Sequence, residues 1–404
     1  MVSIEFKVKD HFLNCFLSFF SFFVPKDKKR ILFAAGRGLL FKGNPKYLYL
    51  YFLEYSPEFE VYWITASKTV FNKLKVRKLP VIYKYSFKGF CSILKSYMIV
   101  IDFTMQDFSY TGSLFGRFNI VQTWHGVALK YIGACQYKFF VSAQSHSRIL
   151  SLFARIKFYF QIREYKSYKF IIAGSELESN NLQKAFMNRS IKITGFPRND
   201  VFLNKGFISF EGLNESDIKQ YNKILSYIPT FRDVKNSKIP FSRVFLKELN
   251  AYLKAKNYLL VIKKHPHDKN FPNLGKFSNI KDISEQVSDA QELLVYTDIL
   301  ITDYSSVFFD YVLTNQPIIF YCYDYEEYIK ECRGLYYNYY EDLPGPFAKN
   351  EQELYDLIKS VSVWFKNKDY QREYMDFKKK FHKYADGNSS ERISNEIVKF
   401  INNN

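Results

Sequence analysis

The sequence predicts an α/β protein with two doubly wound parallel sheets that face a cleft, and with C-terminal helices that cross back. Two observations carry this prediction. Short apolar runs alternate with helix-length polar segments along almost the whole chain, which is typical of parallel βαβ units. A polar, glycine-bearing stretch at residues 204–217 divides these runs into two sets, and 404 residues are enough for two hydrophobic cores.

Strands are predicted where apolar residues run together between turn residues. The first set comprises residues 31–35, 61–65, 97–102, 119–124, 170–174 and 191–195. The second set comprises residues 224–230, 258–264, 298–303 and 317–323.

The C-terminal region predicts helices. Tyr370, Tyr374, Phe377, Phe381 and Tyr384 are spaced alternately by four and three residues, which predicts one apolar helical stripe. The segment 385–393 then predicts that this helix ends at Gly387 and that another begins with serines at its N-cap.

The composition limits the classes of function. Five scattered cysteines without a CxxC pair favour a reducing compartment over a disulfide framework or a zinc site. His265 and His267 are closely spaced, but the proline between them and the strand before them argue against a metal site. Neither G-x-x-x-x-G-K nor G-x-G-x-x-G occurs, so ATPase and NAD-dependent functions lose their main support. We therefore expect no metal and no cofactor.

The positive charge is concentrated in the first half of the chain. Residues 1–200 contain 30 Lys and Arg against 12 Asp and Glu, whereas the remaining residues contain 28 of each sign. This asymmetry predicts that one half faces a polyanion or an anionic membrane. Lineage bias towards lysine would spread over both halves.

Residues 12–24 (FLNCFLSFFSFFV) are apolar but too short to span a membrane. Asn14, Ser18 and Ser21 form one narrow polar stripe on a helix, and the basic run KDKKR follows. No small-residue cleavage site follows Val24, which argues against a signal peptide. The pattern favours an interfacial helix anchored by lysines, and a helix docked on the core is the alternative.

Polar residues follow four of the predicted strands, at the edge where parallel sheets bind ligands. The segments are WHG (124–126), TFRD (230–233), HPH (265–267) and YSS (304–306). The turn from Asp303 to Ser306 has no glycine but has two hydroxyls and a carboxylate at a predicted helix start. Such a turn suits a bound anion, although Ser305 or Ser306 as a helix cap explains one hydroxyl equally well.

Several segments, in this order, resemble those of one protein family. They are QTWHGVALK (122–130), GSELESNNLQKAF (174–186), ITGFPRND (193–200), YIPTFRD (227–233), KKHPH (263–267), DILITDYSSVFFDY (298–311) and RGLYYNYYEDLPGPFAKNEQEL (333–354). GRGLLFKGNPKYLY (36–49) and DGNSSERI (386–393) are similar to the family's opening and ending. Over residues 31–393 the chain thus resembles the CDP-glycerol glycerophosphotransferases, which are teichoic-acid and capsule polymerases.

The resemblance implies a GT-B-like fold and transfer of glycerol phosphate from CDP-glycerol to the free hydroxyl of a growing chain, with release of CMP. It implies His125 and His265 as catalytic residues, with His125 as the general base that an attacking alcohol requires. The residues expected to bind CDP-glycerol are Thr230, Arg232, His265, Thr302, Asp303, Ser305 and Ser306. Gly126, Lys130 and Arg198 are expected on the acceptor side.

The resemblance also divides the chain into expected regions. Residues 1–30 are expected to form an amphipathic membrane-associating segment, and residues 31–204 an acceptor-side Rossmann-like domain. Residues 218–372 are expected to form a Rossmann-like domain that binds the CDP donor, and residues 373–404 the C-terminal helices. The expected partners are CDP-glycerol or CDP-ribitol, a lipid-linked or oligomeric polyol-phosphate or saccharide acceptor, and an anionic membrane surface. The expected location is peripheral, on the cytoplasmic face of the membrane.

One departure and two alternatives remain at this point. Val127 and Ala128 replace the threonine and proline that usually follow WHG in the family, which removes a hydroxyl beside His125. The motifs do not separate glycerol from ribitol donors, nor do they exclude a GT-B glycosyltransferase that uses a nucleotide sugar for capsule or cell-surface polysaccharide. A nucleic-acid-binding protein is disfavoured, because the aromatic residues fall largely in strands and helical stripes.

Overall fold

The computed structural model describes residues 16–108, 116–143, 148–204, 215–230, 232, 238–264, 271–331 and 334–404. The chain forms two compact units. The first contains the residues up to Gly126, Ile132–Asp200 and Lys383–Asn404, and the second contains Val127–Tyr131 and Val201–His382.

The first unit is built on a parallel sheet. Its strands within the described residues are β1 (Asp27–Phe33), β2 (Glu60–Thr65), β3 (Val81–Tyr83), β4 (Ser96–Ile101), β5 (Asn119–Gln122), β6 (Tyr168–Ala173) and β7 (Ile191–Ile193). Their order is β3-β2-β1-β4-β5-β6-β7. The helices are α1 (Gly43–Tyr55), α2 (Lys68–Val76), α3 (Phe87–Lys95), α4 (Gly133–Ala143), α5 (Arg148–Ser167) and α6 (Glu176–Phe186). Short 3-10 helices lie at Met105–Asp107 and Pro197–Phe202.

The second unit repeats this arrangement. Its strands, in the part of the chain that the structure describes, are β8 (Lys223–Ile228), β9 (Tyr258–Ile262), β10 (Ile280–Asp282), β11 (Ile299–Thr302), β12 (Ile318–Tyr321) and β13 (Phe347–Ala348). They are parallel and lie in the order β10-β9-β8-β11-β12-β13. The helices are α7 (Glu215–Lys219), α8 (Arg243–Lys256), α9 (Ala290–Leu294), α10 (Val307–Tyr311), α11 (Tyr325–Glu331), α12 (Glu351–Lys359), α13 (Val361–Trp364) and α14 (Lys368–Phe381), and a 3-10 turn lies at Val312–Thr314.

The apolar runs form strands because both faces of a parallel sheet are covered by helices. All six residues of β4 are buried, and so are all four residues of β11. The ten predicted strands are confirmed, with bounds that differ by a few residues, as is the prediction of two parallel α/β sheets. The strands β3, β10 and β13 were not predicted.

Side-chain caps fix where several helices begin. The hydroxyl of Ser67 accepts the N–H of Val70 at the start of α2, and that of Ser242 accepts the N–H of Phe245 at the start of α8. Such a cap satisfies one of the N–H groups that lack a partner in the first turn of a helix. These caps place the first turns of α2 and α8 directly after Ser67 and Ser242.

The last helix, α15 (Ser389–Asn403), belongs to the first unit. Its start differs from the prediction, because Asn388 holds the N-cap position without a side-chain cap. The carboxylate of Asp200 instead accepts the N–H groups of Ser389 and Ser390, at 2.9 and 2.7 Å, and the Ser390 hydroxyl. The preceding helix also ends earlier than predicted, at Phe381 rather than at Gly387.

The apolar N-terminal segment is described from residue 16, and residues 16–20 are helical. Its serines face the protein: Ser18 and Ser21 are buried, and the Ser21 hydroxyl accepts the N–H of Arg117. Phe19 and Phe23 point outwards, with 62% and 70% of their surface exposed. Among the described residues, no helix combines the length and hydropathy that crossing a membrane would require.

Candidate active site

The order of the strands places the ends of β1, β4 and β5 next to one another at one edge of the first sheet. The strand β1 lies between β2 and β4, so the winding of the sheet reverses between β1 and β4. Open α/β sheets bind ligands beyond the carboxyl ends of the strands at such a reversal. Arg37 follows β1, Asp102 follows β4, and His125 follows β5.

The backbone on both sides of His125 turns its side chain outwards. Trp124 and Gly126 are buried and have positive φ angles of 48° and 100°, whereas His125 is exposed. A left-handed conformation costs a residue other than glycine about 1–2 kcal/mol, so the surrounding structure must hold Trp124 in place. The N–H of Trp124 donates to Gln122 Oε1 at 2.8 Å, which supplies part of that support.

The imidazole of His125 has a defined hydrogen-bond partner. Its Nδ1 lies 3.2 Å from the carbonyl oxygen of Asp102. Because a carbonyl can only accept, Nδ1 carries the proton and the lone pair of the ring lies on Nε2. The ring also packs against Trp124, with centroids 4.0 Å apart, and against Phe103 at 5.9 Å. This is the tautomer in which Nε2 can accept a proton from a hydroxyl.

Two buried carboxylates lie behind the histidine. Asp107 Oδ2 accepts the N–H groups of Asp102 and Phe103, at 3.1 and 2.8 Å, and so fixes the turn that carries the Asp102 carbonyl. Burial raises the pKa of the Asp102 carboxyl to about 6, against the hydrogen bond from Gly36 and the positive charge of Lys42. Burial also raises the pKa of Asp107, and the neighbouring Asp102 raises it further.

Asn44 joins the His125 loop to Arg198. Its side-chain amide is fully buried and donates to the carbonyls of Thr123 and Trp124, at 3.0 and 2.8 Å. Its Oδ1 accepts the N–H of Arg198 at 3.3 Å. Asn44 was not among the residues predicted from the sequence, and its partners lie 80 and 154 positions away along the chain.

Lys130 belongs to the second unit rather than to the unit of His125. The chain beside it pairs with Gly334–Tyr336, and Lys130 and Leu335 form an antiparallel bridge. The ammonium of Lys130 lies 5.1 Å from the ring centroid of Tyr328.

In the second unit the predicted donor residues also lie where the winding of the sheet reverses. The strands β8 and β11 are neighbours, and the residues beyond their carboxyl ends are in contact. The Asp303 carboxylate accepts the N–H of Thr230 at 2.8 Å and an N–H of Arg232 at 2.9 Å. The structure thus brings Thr230, Arg232 and Asp303 together, as the strand-end argument predicted.

Arg232 is bound on several sides by the protein itself. Besides Asp303, its guanidinium donates to both carboxylate oxygens of Asp324, at 2.7 and 3.0 Å, and to the Thr230 carbonyl at 2.7 Å. Its flat face lies 5.0 Å from the ring centroid of Tyr304. Burial opposes the charge, but Asp303 and Asp324 prevail and raise the pKa of Arg232. Asp324 was not predicted, since it follows β12 without a recognisable motif.

The hydroxyl groups near these residues differ in their surroundings. Thr302 Oγ1 donates to the Ile228 carbonyl inside the sheet at 2.8 Å. Ser306 holds the N-cap position of α10 but forms no side-chain cap. Within the described residues, the hydroxyls of Ser305 and Ser306 and the buried Oγ1 of Thr230 have no hydrogen-bond partner. Capping therefore does not account for the two serines.

His265 lies outside the described residues, so its predicted role stays a prediction. The described residues before it end at Lys264, whose N–H donates to the Ser284 hydroxyl at 2.9 Å. Among residues that the structure describes, no three His, Cys, Asp or Glu side chains are grouped so as to hold a metal ion.

A model of the family described as CDP-glycerol:poly(glycerophosphate) glycerophosphotransferase matches residues 16–399 of this chain. The chain belongs to this family. The resemblance seen in the sequence is thereby confirmed, and the protein is a transferase. The solved structure of the wall teichoic acid polymerase TagF shares the fold, with a TM-score of 0.77 and 24% sequence identity over 99% of this chain and 95% of that chain. This similarity confirms the GT-B-like fold class.

Curated relatives within the glycerophosphotransferase family differ in length. The chain is 29% identical to the teichoic acid glycerol-phosphate transferase of Staphylococcus aureus, over 92% of this chain and 94% of that protein. It is 26% identical to the teichoic acid poly(glycerol phosphate) polymerase of Bacillus subtilis, over 93% of this chain but 49% of that polymerase. It is 27% identical to the poly(ribitol-phosphate) polymerase of Bacillus spizizenii, over 93% of this chain and 57% of that protein. The chain thus spans nearly all of the transferase and about half of each polymerase.

Proposed function

We propose that this protein transfers glycerol phosphate from CDP-glycerol to the terminal hydroxyl of a teichoic-acid or capsule-type poly(polyol phosphate) acceptor and releases CMP. The proposal rests on the position and hydrogen bonding of His125 in a chain of this family. His125 is exposed at the carboxyl end of β5, and its Nδ1 lies 3.2 Å from a carbonyl.

In this reaction the acceptor hydroxyl attacks the β-phosphorus of CDP-glycerol. A new P–O bond forms while the bond from that phosphorus to the bridging oxygen breaks, and CMP leaves with the electron pair of that bond. His125 takes the hydroxyl proton on Nε2 and returns it to solvent. A positioned base of this kind is required because an alcohol is almost fully protonated at neutral pH. We assign Gly126, Lys130 and Arg198 to the acceptor side.

We assign the nucleotide donor to the second unit, at Thr230, Arg232, His265, Thr302, Asp303, Ser305 and Ser306. The contacts of these residues support two kinds of role. Arg232 and Asp303 bind each other and thereby hold the two strand ends together. The hydroxyls of Ser305 and Ser306, which have no partner among the described residues, are able to donate to the pyrophosphate.

The test of the function is CMP release by the purified protein. We expect release from CDP-glycerol in the presence of an oligomeric glycerol-phosphate acceptor, with the acceptor growing by one unit for each CMP. CDP-ribitol is the matched alternative donor, because the chain is also 27% identical to a ribitol-phosphate polymerase. A preference for CDP-ribitol would replace the donor in the proposal, and no CMP from either donor would overturn it.

Replacing both Ser305 and Ser306 by alanine should weaken binding of CDP-glycerol by about 10²-fold to 10⁴-fold, because hydrogen bonds to a charged group contribute about 1.5–3 kcal/mol each and two are removed. Titration calorimetry with CDP-glycerol and with CMP measures the change. Ser360→Ala is the matched control, since that hydroxyl donates to the Asp356 carbonyl on the surface. Wild-type affinity in a folded double variant would remove the serines from the donor site.

We further propose that the protein works at the surface of an anionic membrane that carries its acceptor. The exposed face of the N-terminal segment supports this, since Phe19, Phe22 and Phe23 project from it while its serines are buried. The helix α5 exposes Tyr159 and Phe160, and Arg155 and Arg163 belong to the same helix. Exposed aromatic residues beside lysine and arginine are typical of segments that lie in the headgroup region.

Replacing Phe19, Phe22 and Phe23 by serine should reduce binding to vesicles that contain anionic lipid by at least 10-fold, because three exposed aromatic side chains lose their apolar contact with the bilayer. These substitutions are preferable to deletion of residues 1–30, because β1 begins at Asp27 and the deletion would remove the first residues of that strand. The variant Val244→Ser/Val363→Ser removes exposed apolar side chains from the second unit and serves as the control in vesicle co-sedimentation. Equal binding of the triple variant and wild type would contradict the membrane proposal.

A further inference from the structure

Arg37 has an unusual backbone conformation at the ligand edge of the first sheet. Gly36, Arg37 and Gly38 follow one another with φ angles of 58°, 61° and 71°. The two glycines adopt this left-handed region at little cost, but arginine pays about 1–2 kcal/mol for it. A third glycine would hold the same turn without that cost. The conformation therefore indicates that the arginine side chain serves a purpose that the turn itself does not require.

The turn is held rigidly by the two buried carboxylates behind His125. Asp102 Oδ1 accepts the N–H of Gly36 at 3.2 Å, and Asp107 Oδ1 accepts the N–H of Arg37. On the other side, the Gly38 carbonyl accepts the N–H of Ala66 at 2.7 Å. The same Asp102 supplies the carbonyl that binds His125 Nδ1. One pair of carboxylates thus fixes both the Arg37 turn and the orientation of His125.

The side chains of Arg37 and His125 share one aromatic ring. The guanidinium carbon of Arg37 lies 5.5 Å from the centroid of Phe103, and the His125 ring lies 5.9 Å from the same centroid. Arg37 is exposed, and no carboxylate among the described residues forms an ion pair with it. An exposed guanidinium held beside a catalytic base, without an acidic partner, is suited to bind an anionic group of the substrate.

We propose that Arg37 binds the last phosphodiester of the acceptor chain and thereby places the terminal hydroxyl at His125. This inference rests on the proposed function and extends it by naming the group that the first unit recognises. In a poly(glycerol phosphate) acceptor, a single glycerol unit separates the terminal hydroxyl from the nearest phosphodiester. The planar guanidinium donates two parallel hydrogen bonds to a phosphate, which an ammonium group does not reproduce.

The decisive variant is Arg37→Gly, because glycine fits the left-handed turn and should leave the urea midpoint of unfolding unchanged or higher. We expect the KM for an oligomeric glycerol-phosphate acceptor to rise by about 10-fold to 100-fold, the usual worth of a charge-assisted bidentate contact. The KM for CDP-glycerol should stay within about twofold, since the change removes no group assigned to the donor. Arg37→Lys should recover part of the acceptor affinity that Arg37→Gly loses.

The control for charge is Lys75→Gln, on the exposed face of α2. It removes one positive charge elsewhere in the same unit and should leave the KM for the acceptor unchanged.

Direct binding separates this inference from the proposed function. The probe is a short oligo(glycerol phosphate), titrated into wild type and Arg37→Gly without any donor. Loss of binding in the variant supports the inference even if wild type releases no CMP from CDP-glycerol, a result that would overturn only the proposed function. Equal binding of the oligomer to both proteins, or an unchanged acceptor KM in Arg37→Gly, would overturn the role of Arg37.

Discussion

His125→Ala should lower the turnover of glycerol phosphate transfer by about 10²-fold to 10⁴-fold, the usual contribution of a general base. The reason is the geometry of the ring. Its Nδ1 proton is held by the Asp102 carbonyl, so Nε2 is the atom that accepts the proton of the attacking hydroxyl. Turnover is measured as CMP release at saturating CDP-glycerol and acceptor.

Two further measurements separate catalysis from folding and donor binding. The affinity for CDP-glycerol should stay close to that of wild type, because we assign the nucleotide to the second unit. The urea midpoint should also change little, because the His125 side chain is exposed. Turnover within threefold of wild type in His125→Ala would show that another group is the base.

Arg232→Met should lower the free energy of unfolding by about 3–5 kcal/mol, the usual cost of leaving buried charges without their partner. Asp303 and Asp324 are 0% and 5% exposed, and Arg232 is the cation that both contact. Removing it leaves two buried carboxylates, at the ends of β11 and β12, without the cation that both contact. Urea unfolding measures the change, and CDP-glycerol binding should be lost with it.

The matched control for this prediction is Arg372→Met on α14 of the same unit. Arg372 forms an ion pair with Asp369 at 3.0 Å, but the two side chains are 69% and 75% exposed. An exposed pair contributes about 1 kcal/mol or less. If the two substitutions lower the free energy of unfolding by the same amount, burial of the Arg232 ion pairs does not add to the stability of the protein.

Apolar runs in the sequence predicted most of the strands but not the shortest ones. The ten strands predicted from the sequence are confirmed, and the three that were missed are β3, β10 and β13. All three lie at an edge of a sheet and contain only two or three residues. A strand of two or three residues gives only a short apolar run, although β7, an edge strand of three residues, was predicted from the longer run at residues 191–195.

Only part of the candidate site could be predicted from the sequence. His125, Ser305 and Ser306 were singled out as candidates because polar residues directly after an apolar run are visible in the sequence. Asn44 and Asp324 were missed because each acts on residues far away along the chain. Asn44 binds Trp124, 80 positions later, and Asp324 binds Arg232, 92 positions earlier. Sequence spacing does not show which strand ends become neighbours.

The sequence by itself determined the two parallel sheets, the family, and the strand ends at which polar residues cluster. Burial on both faces of a parallel strand leaves a continuous apolar run, and the motifs lie at the ends of those runs. The tertiary structure alone decided the partners of these residues. It pairs Arg232 with two aspartates, and it leaves the hydroxyls of Ser305 and Ser306 without a capping hydrogen bond to α10. It also places the side chains of Arg37 and His125 beside the ring of Phe103. The physical reason is that strand order, rather than order along the chain, sets the few ångströms over which hydrogen bonds and ion pairs act.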